Sequence, residues 1–309
     1  TFEIDEKHGT DYHKRFLEFV KMVQKENLVI GGAMTDPKGD RSKGPSEQED
    51  PDLFTRIVDS DEKGVYVSGA KAHQTGCINS HWIILMPTIR LTENDKDWAI
   101  VGAVPADAEG ITYIYGRQSC DTRSMEEGDI DVGNAKFGGQ EALIVLDRVF
   151  IPWEKVFMNG EFEFASMLVE RFTCYHRRSY VCKTGLGDVL IGAAATIADY
   201  NGVPKVSHIK DKIIEMTHLN ETIFAAGIAS SHQGQKMKSG VFLNDDMLAQ
   251  VCKHNVTRFP YEIGRLAQDI AGGLMVTLPS EKDFRHPEAG PMLKKYLAAR
   301  KGVDVENRM

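Results

Sequence analysis

Five side chains that could bind a metal or transfer a proton lie within one short stretch, residues 171–188. They are Cys174, His176, Tyr180, Cys182 and Lys183. Imidazole, phenol, thiolate and amine groups can each ligate a metal, move a proton or hold an anion. The clustering predicts a functional site. The alternative interpretation is structural, because a cysteine is often a small buried hydrophobe and a histidine a hydrogen-bonded core residue.

The histidine and the cysteine alone are a weak metal signal. Five residues lie between His176 and Cys182, which matches none of the common zinc spacings, and the stretch contains no CxxC. Side chains six positions apart on an ideal helix point about 120° away from each other. One metal centre would therefore require the helix to be interrupted between them.

The composition is that of a soluble globular protein with one large or two smaller domains. The 309 residues are 42% hydrophobic and 27% charged, and the net charge of −8 argues against a nucleic-acid or polybasic membrane surface. Five scattered cysteines, an odd number, fit a reducing cytoplasm better than a disulfide framework. With no signal peptide and no apolar run near about 18 residues, we expect a cytoplasmic protein without a membrane partner. The chain begins without Met and ends in charged residues, so we expect a fragment lacking both ends.

The hydrophobic pattern changes twice along the chain and predicts an α+β fold. Apolar residues at helical spacing in 11–28 predict the end of an N-terminal helical domain, 1–30. Short alternating runs follow, and they predict an antiparallel β-barrel or sandwich in a domain at 31–160, of which we expect the barrel. The predicted strands are 64–71, 82–86, 98–104, 110–115 and 141–150.

The remaining residues, 161–309, show apolar side chains every three or four positions, which predicts a C-terminal helical bundle. The expected helices are 162–180, 185–201, 206–239 and 245–273. Asn244-Asp245 offers an N-cap for the last of these, and Gly272-Gly273 offers a stop.

Two polar segments could hold a ligand. Residues 31–43 combine glycines with the cations Lys38, Arg41 and Lys43 and could bind an anion, although the segment is not a Walker A loop. Residues 73–81 include Gln74 and Thr75, which could hydrogen-bond the edge of a planar heteroaromatic ring. A solvated surface loop and an ordinary strand connection are the respective alternatives.

Four motifs carry a resemblance to a known superfamily. Segments 34–42 (MTDPKGDRS) and 69–76 (GAKAHQTG), the latter followed by NSHW at 79–82, closely resemble flavin-binding segments of the 4-hydroxyphenylacetate 3-monooxygenases and 4-hydroxybutyryl-CoA dehydratases. Segments 174–183 and 258–281 are similar to the dehydratase branch. The resemblance runs along nearly the whole chain and implies an acyl-CoA dehydrogenase-like fold.

The resemblance implies dehydration of 4-hydroxybutyryl-CoA to crotonyl-CoA and isomerisation of vinylacetyl-CoA. The family uses FAD, which takes and returns one electron, and a 4Fe-4S cluster that acts as a Lewis acid on the leaving hydroxyl group. Loss of the α-proton and one electron gives an enoxy radical with an acidic β-position, and a ketyl radical anion then expels the hydroxyl. The alternatives are an FAD-dependent aromatic monooxygenase of the 4-hydroxyphenylacetate type and an inactive scaffold without a cofactor.

The resemblance also implies residue roles. His176 and Cys182 would ligate the cluster, and His176, Glu141, Tyr180 and Lys183 would handle protons or hold the thioester. FAD would be bound by Met34, Lys38, Gly39, Asp40, Arg41, Ser42, His73, Gln74, Thr75, Gly76, Gln268, Gly272 and Gly273. The last three resemble a segment that reaches a neighbouring subunit's flavin, which implies a homotetramer. Cys174 is expected to be a packing residue.

Two features depart from the family pattern. The family has six residues between its ligand histidine and cysteine, whereas five separate His176 from Cys182. One residue fewer rotates Cys182 by about 100° on a helix, so either an interrupted turn absorbs the change or the cluster is bound differently. The family's other two cluster cysteines form a C-x3-C pair, which does not occur in this sequence, so those ligands are expected outside the fragment.

Overall fold

The computed structural model describes residues 1–116, 128 and 141–309. Of these, residues 1–116 and 141–170 form one compact unit, and residues 171–309 form a second. We refer to them as the sheet unit and the helical unit.

The sheet unit begins with two helices, α1 (Phe2–His8) and α2 (Tyr12–Glu26). The apolar face of α2 is buried through Phe19, whose ring packs against Trp82 and Phe157 at centroid distances of 5.6 and 5.7 Å. The helix ends at Asn27, which adopts the left-handed conformation with φ 53°. The helix predicted at 11–28 is therefore present.

Two four-stranded sheets follow, with strand orders β1-β4-β5-β8 and β2-β3-β7-β6. The strands are β1 (Ile30–Ala33), β2 (Arg56–Ser60), β3 (Gly64–Thr75), β4 (Trp82–Leu85), β5 (Ile100–Pro105), β6 (Ile111–Tyr115), β7 (Glu141–Pro152) and β8 (Val156–Asn159). Their inward side chains, such as Val67, Ile83 and Ile144, are fully buried.

The predicted antiparallel barrel is not confirmed, since the described residues do not form a closed barrel. The strands belong to two separate sheets, and β1 pairs with β4 in parallel. Strand β1 lies where the sequence pattern predicts a loop, because Gly31 and Gly32 are poor strand formers. Gly31 permits a close approach, since a Cβ there would lie 2.9 Å from both Cys77 Sγ and Ser80 Oγ.

The helical unit is built from α3 (Ala165–Ser179), which begins before the division at residue 170, and seven further helices. These are α4 (Thr184–Tyr200), α5 (Ser207–His232), α6 (Asp246–Val256), α7 (Phe259–Ala271), α8 (Glu281–Arg285), α9 (Ala289–Tyr296) and α10 (Val305–Arg308). Helices α4, α5 and α7 share a core that contains Ala198, Met216 and Ile263.

Two of the predicted helices are shorter than expected. The segment 206–239 stops at His232, and a small hairpin of β9 (Gln235–Lys236) and β10 (Phe242–Leu243) follows. The segment 245–273 is split before α7, because Pro260 fits the first turn of a helix but not its interior. The predicted cap and stop are confirmed: Asp245 Oδ1 accepts a hydrogen bond from Leu248 N at 2.8 Å, and Gly272 caps α7 with φ 79°.

One helical run departs from the expectation that the chain has no long apolar segment. The run Phe162–Tyr200 is long and apolar enough to cross a membrane by length and composition, and few residues in its most apolar window are buried. Leu186 and Val189 on α4 are 54% and 68% exposed. A helix in the core of a soluble protein can meet the same criterion of length and composition.

Candidate active-site segments

The loop after β1 is held in shape by its own side chains. Asp40 Oδ1 accepts hydrogen bonds from the backbone N and the hydroxyl of Ser42, at 3.0 and 2.7 Å. Gln48 donates from Nε2 to the carbonyl of Asp40 at 2.9 Å and accepts from Asp40 N at 3.0 Å. Gly39 lies at its tip with φ 52°. Gln48 is a positioning residue that the sequence analysis missed, because it lies outside the glycine-rich segment.

The loop exposes positive charge. Lys38 and Arg41 are exposed, and neither has an ion-pair partner among the described residues, whereas Lys43 lies 3.8 Å from Asp40 Oδ2. Exposed cations beside a preorganised loop provide donors for an anion such as a phosphate. The residues present therefore fit the pyrophosphate part of FAD.

The end of β3 carries a bulge, around which some side chains point into the sheet unit and others point to the surface. The register against β7 shifts between Lys71 and Gln74. Lys71 and Gln74 are both buried, while His73 and Thr75 are exposed. His73 has φ 57°, a conformation that costs energy for a residue with a side chain. Strained, exposed backbone of this kind is concentrated at functional sites.

Gln74 serves the interior of the sheet unit. Its Oε1 accepts from Met34 N at 3.1 Å, and its Nε2 donates to the carbonyl of Thr35 at 2.9 Å. The side chain is 2% exposed. Gln74 thus contacts the same loop that contains Met34, and its direct contact with a flavin stays a prediction.

Thr75 and Glu141 are brought together by strand pairing. They are register partners on β3 and β7, and the Thr75 hydroxyl donates to Glu141 Oε1 at 2.5 Å. A hydroxyl that donates once can still accept, so Thr75 can take a hydrogen bond from a ring N–H while it orients the carboxylate. This pair gives the sheet unit a positioned carboxylate next to the left-handed Gly76, whose φ is 72°.

In the helical unit, His176 lies on the last turn of α3 within an aromatic stack. Its ring stacks on Phe172 at 5.3 Å and lies 4.9 Å from the ring of Tyr180. Lys253 of α6 places its ammonium 4.5 Å from the centre of the Tyr180 ring. Imidazole, phenol and ammonium therefore form one continuous surface cluster.

The electrostatics of this cluster favour neutral imidazole. Partial burial lowers the pKa of His176 below its usual value, and the nearby charges of Lys253, Arg177 and Lys183 lower it further. Neutral imidazole is the form that accepts a proton or ligates a metal. Lys253 carries no signal in the sequence, because it is distant in the chain and only the packing of α6 brings it to Tyr180.

A 3-10 helix, Tyr180–Lys183, separates α3 from α4. This is the interruption that a shared metal centre would require. An α-helix turns about 100° per residue and a 3-10 helix about 120°. In ideal geometry, three 3-10 steps in place of three α-helical steps reduce the angle between side chains six positions apart from about 120° to about 60°. Cys182 is exposed, whereas Cys174 is buried as expected for a packing residue.

The described residues do not form a complete metal site. Among them, no group of three or more His, Cys, Asp or Glu side chains is arranged to hold a metal ion. The assignment of His176 and Cys182 as cluster ligands stays a prediction, and a 4Fe-4S cluster would need further ligands from elsewhere. Farther along the helical unit, Gln268, Gly272 and Gly273 form the exposed end of α7, where Gly272 N donates to the Gln268 carbonyl at 2.9 Å.

Two family models match this chain. The N-terminal model of 4-hydroxyphenylacetate 3-hydroxylase matches residues 1–158, and the C-terminal model matches residues 165–309. The 4-hydroxybutyryl-CoA dehydratase/vinylacetyl-CoA-Δ-isomerase of Clostridium aminobutyricum is 59% identical over 100% of this chain and 65% of its own length. The oxygenase component of 4-hydroxyphenylacetate 3-monooxygenase from Thermus thermophilus is 24% identical over 94% of this chain and 60% of its own length.

Solved structures show the same relationship. An oxygen-tolerant archaeal 4-hydroxybutyryl-CoA dehydratase from N. maritimus matches with TM-score 0.96 and 94% identity, over 99% of this chain and 61% of that chain. The oxygenase component HpaB in complex with FAD matches with TM-score 0.81 and 23% identity, over 96% of this chain and 62% of that chain. Glutaryl-CoA dehydrogenase matches with TM-score 0.57 and 14% identity, over 80% of this chain and 57% of that chain. The last two likenesses show the fold alone, and they confirm the expected acyl-CoA dehydrogenase-like class. The chain spans less than two thirds of these relatives.

Proposed function

The chain belongs to the family of 4-hydroxyphenylacetate 3-hydroxylases, and we propose that the full-length protein is a member of the branch of that family that acts on acyl-CoA. We propose that it dehydrates 4-hydroxybutyryl-CoA to crotonyl-CoA and isomerises vinylacetyl-CoA. The observation that carries this choice is the exposed imidazole of His176 at the end of α3 together with the exposed thiol of Cys182 in the 3-10 helix that follows. A phenol monooxygenase that carries no metal has no need of such a pair. The much higher identity to proteins named as dehydratases supports the same choice.

The reaction needs proton transfer at carbons of very different acidity. The α-proton of a thioester can be removed by a positioned base, but the β-proton is barely acidic and hydroxide is a poor leaving group at C4. When bound, FAD supplies the one-electron acceptor and donor that makes the β-position acidic. The side chains of this protein must bind the thioester, take the α-proton and stabilise the negative charge that then develops on the thioester.

Two groups can take the α-proton. His176 is held neutral by partial burial and by Lys253, Arg177 and Lys183, so its ring nitrogen is ready to accept a proton. Glu141 is oriented by the 2.5 Å hydrogen bond from Thr75. We assign the first proton to His176 when it is not occupied as a metal ligand, and otherwise to Glu141.

The remaining groups of the helical unit stabilise charge. The exposed ammonium of Lys183 would hold the thioester oxygen as negative charge develops on it. Tyr180, which packs between His176 and Lys253, would orient the substrate or pass on a proton. Lys253, whose ammonium group faces the Tyr180 ring, adds a further positive charge to these groups.

The cofactors are proposed to be FAD and a 4Fe-4S cluster. FAD would be held by the 38–42 loop and by 73–76, and Gln268, Gly272 and Gly273 at the end of α7 would reach the flavin of a neighbouring subunit. His176 and Cys182 would be two of the four cluster ligands, and the described residues do not complete the set. We also propose a cytoplasmic homotetramer, for which light scattering of the full-length protein gives the molar mass.

A second candidate is an FAD-dependent aromatic monooxygenase, which the description of the matching family models favours. In that case His176 and Cys182 would be structural, and the 73–76 and 38–42 segments would still bind flavin. The two candidates therefore differ in iron content and in substrate, and agree on the flavin.

The test is anaerobic purification of the full-length protein followed by flavin, iron and acid-labile sulfide analysis and incubation with 4-hydroxybutyryl-CoA. We expect flavin, about four irons per chain and crotonyl-CoA. A parallel aerobic reaction contains reduced flavin and 4-hydroxyphenylacetate. Flavin without iron, together with hydroxylation of the phenol and no crotonyl-CoA, would establish the monooxygenase instead. If the protein contained neither flavin nor iron, both enzyme candidates would be excluded.

A further inference from the structure

A lysine and an aspartate form an ion pair deep inside the sheet unit. Lys71 on β3 and Asp36 after β1 are 2% and 4% exposed at their side chains, and Lys71 Nζ lies 2.5 Å from Asp36 Oδ1. Burial lowers the pKa of Lys71, and the Asp36 charge opposes that effect. A buried charge pair of this kind contributes little net stability relative to apolar side chains of similar volume. Its presence calls for an explanation other than stability.

The hydrogen bonds of the pair are saturated. Besides Asp36, Lys71 Nζ donates to the carbonyls of Met86 at 2.7 Å and Met34 at 3.4 Å, which uses all three ammonium donors. Asp36 Oδ2 accepts from both the backbone N and the hydroxyl of Thr88, each at 2.9 Å. The lysine has no donor left for a ligand, so the pair acts on the protein itself.

The contacts join three separate segments at one point. Met34 and Asp36 belong to the strap Met34–Asp36 that leads out of β1, Lys71 belongs to β3, and Met86 and Thr88 follow β4. The strap is also tied to β3 by the hydrogen bond from Ala72 N to the Thr35 carbonyl at 2.8 Å and by the buried Gln74 amide. Charged partners make the Lys71 contacts the strongest of these bonds.

The strap connects two segments that are proposed to bind FAD. Asp36 is followed by Pro37, which restricts the backbone before it, and then directly by the exposed loop 38–42. Lys71 is followed by the bulge and by the exposed residues His73 and Thr75. The ion pair thus fixes both segments close to the points where they reach the surface.

We infer that the buried Lys71–Asp36 ion pair is a positioning device that sets the 38–42 loop relative to the 73–76 end of β3, so that both can bind one flavin. This inference rests on the proposed function. It assigns to Lys71 and Asp36 an effect on flavin affinity and on the flavin environment, without contact between either residue and the flavin.

The test compares four full-length proteins: wild type, K71M, the double variant K71M/D36L, and R148M. R148M is the matched control, because Arg148 and Asp59 form an exposed ion pair, at 2.8 Å, between two strands of the same sheet. FAD affinity is measured by fluorescence titration of flavin-free protein. The visible circular dichroism of bound flavin, the flavin potential and the midpoint of urea unfolding are measured in parallel.

We expect K71M to lose FAD affinity by at least about tenfold, or to fail to fold because it leaves Asp36 buried without a partner. The double variant removes both charges and is expected to unfold at a denaturant concentration similar to that of wild type. It should still bind FAD at least about tenfold more weakly, with an altered flavin dichroism band and potential. R148M should bind FAD like wild type.

Two results would overturn the inference alone: a stable double variant with wild-type FAD affinity and spectrum, or an equal loss in R148M. Absence of FAD binding by the wild-type protein would instead overturn the proposed function, and the inference would fall with it. The wild-type titration therefore separates the two failures.

Discussion

Cys77 and Cys182 show how the surroundings of a thiol decide its chemistry. Cys77 is fully buried beneath the end of β3, and burial, followed by the charge of Glu141, raises its pKa to about 11. Cys182 is exposed on the 3-10 helix. Because only the thiolate is a good nucleophile or metal ligand, Cys77 is inert near neutral pH and Cys182 is available.

This contrast predicts which cysteine an alkylating reagent modifies. In iron-free full-length protein at pH 8, we expect iodoacetamide to label Cys182 faster than Cys77, Cys174 or Cys252 by at least about tenfold. Labelling of Cys77 should rise only as the pH approaches 11, where its thiolate forms. Peptide mass spectrometry gives the rates; Cys120 lies outside the described residues and is followed without an expectation.

Iron provides the control for this prediction. If Cys182 ligates the cluster, iron-loaded protein should protect it, and removal of iron with a chelator should restore labelling. The C182S variant should retain less iron than wild type. Equal labelling of Cys182 with and without bound iron would contradict its assignment as a ligand.

At the scale of elements, the bulge in β3 combines strain with exposure. It turns Lys71 and Gln74 inward, leaves His73 at φ 57° and pairs Thr75 with Glu141. The cost of that backbone conformation is offset by the surrounding hydrogen bonds of the strap. The bulge is therefore the local feature that presents residues 73–76 as a binding edge.

The strained backbone at His73 predicts different stabilities for two variants that both lack the imidazole. A β-branched residue tolerates positive φ poorly and glycine tolerates it well. We expect H73V to be less stable than H73G by about 1–2 kcal/mol. Urea unfolding of both variants measures the difference, and equal stabilities would show that His73 does not hold this conformation in solution.

Local signals in the sequence were sufficient for much of the secondary structure. Alternating apolar residues located β3 to β7 in part, Asp245 marked the start of α6, and Gly272 marked the end of α7. The pairing of strands within the two sheets could not be predicted, because partners such as β1 and β4 are distant in the chain. Strand β1 could not be predicted, because its glycines have low strand propensity and are present because they allow close packing.

The candidate site was predictable to a similar extent. The reactive residues His176, Tyr180, Cys182 and Lys183 are neighbours in the sequence and were found there. Lys253 and Gln48 were not found, because only tertiary packing brings them to Tyr180 and to the 38–42 loop. The ion pair of Lys71 and Asp36 was also missed, since its partners lie on separate segments.

At the scale of the whole molecule, the fold does not decide the reaction. The same fold is shared with monooxygenases and with an acyl-CoA dehydrogenase, and function depends on the residues placed on it. The candidate residues of this chain are an oriented carboxylate, Glu141, in the sheet unit and an imidazole, His176, in the helical unit, whose pKa is lowered by partial burial and by nearby cations. The central claim is that at least one of these two groups removes the α-proton of an acyl-CoA.

The most direct test is α-proton exchange of butyryl-CoA, which has no hydroxyl group to eliminate. Full-length wild type, E141Q and H176N are incubated anaerobically with butyryl-CoA in D₂O, and deuterium at the α-carbon is followed by mass spectrometry alongside flavin and iron counts. We predict exchange by wild type and a loss of about 10²-fold or more in at least one variant that retains its flavin. No exchange by flavin- and iron-loaded wild type, or wild-type exchange in both variants, would contradict the account.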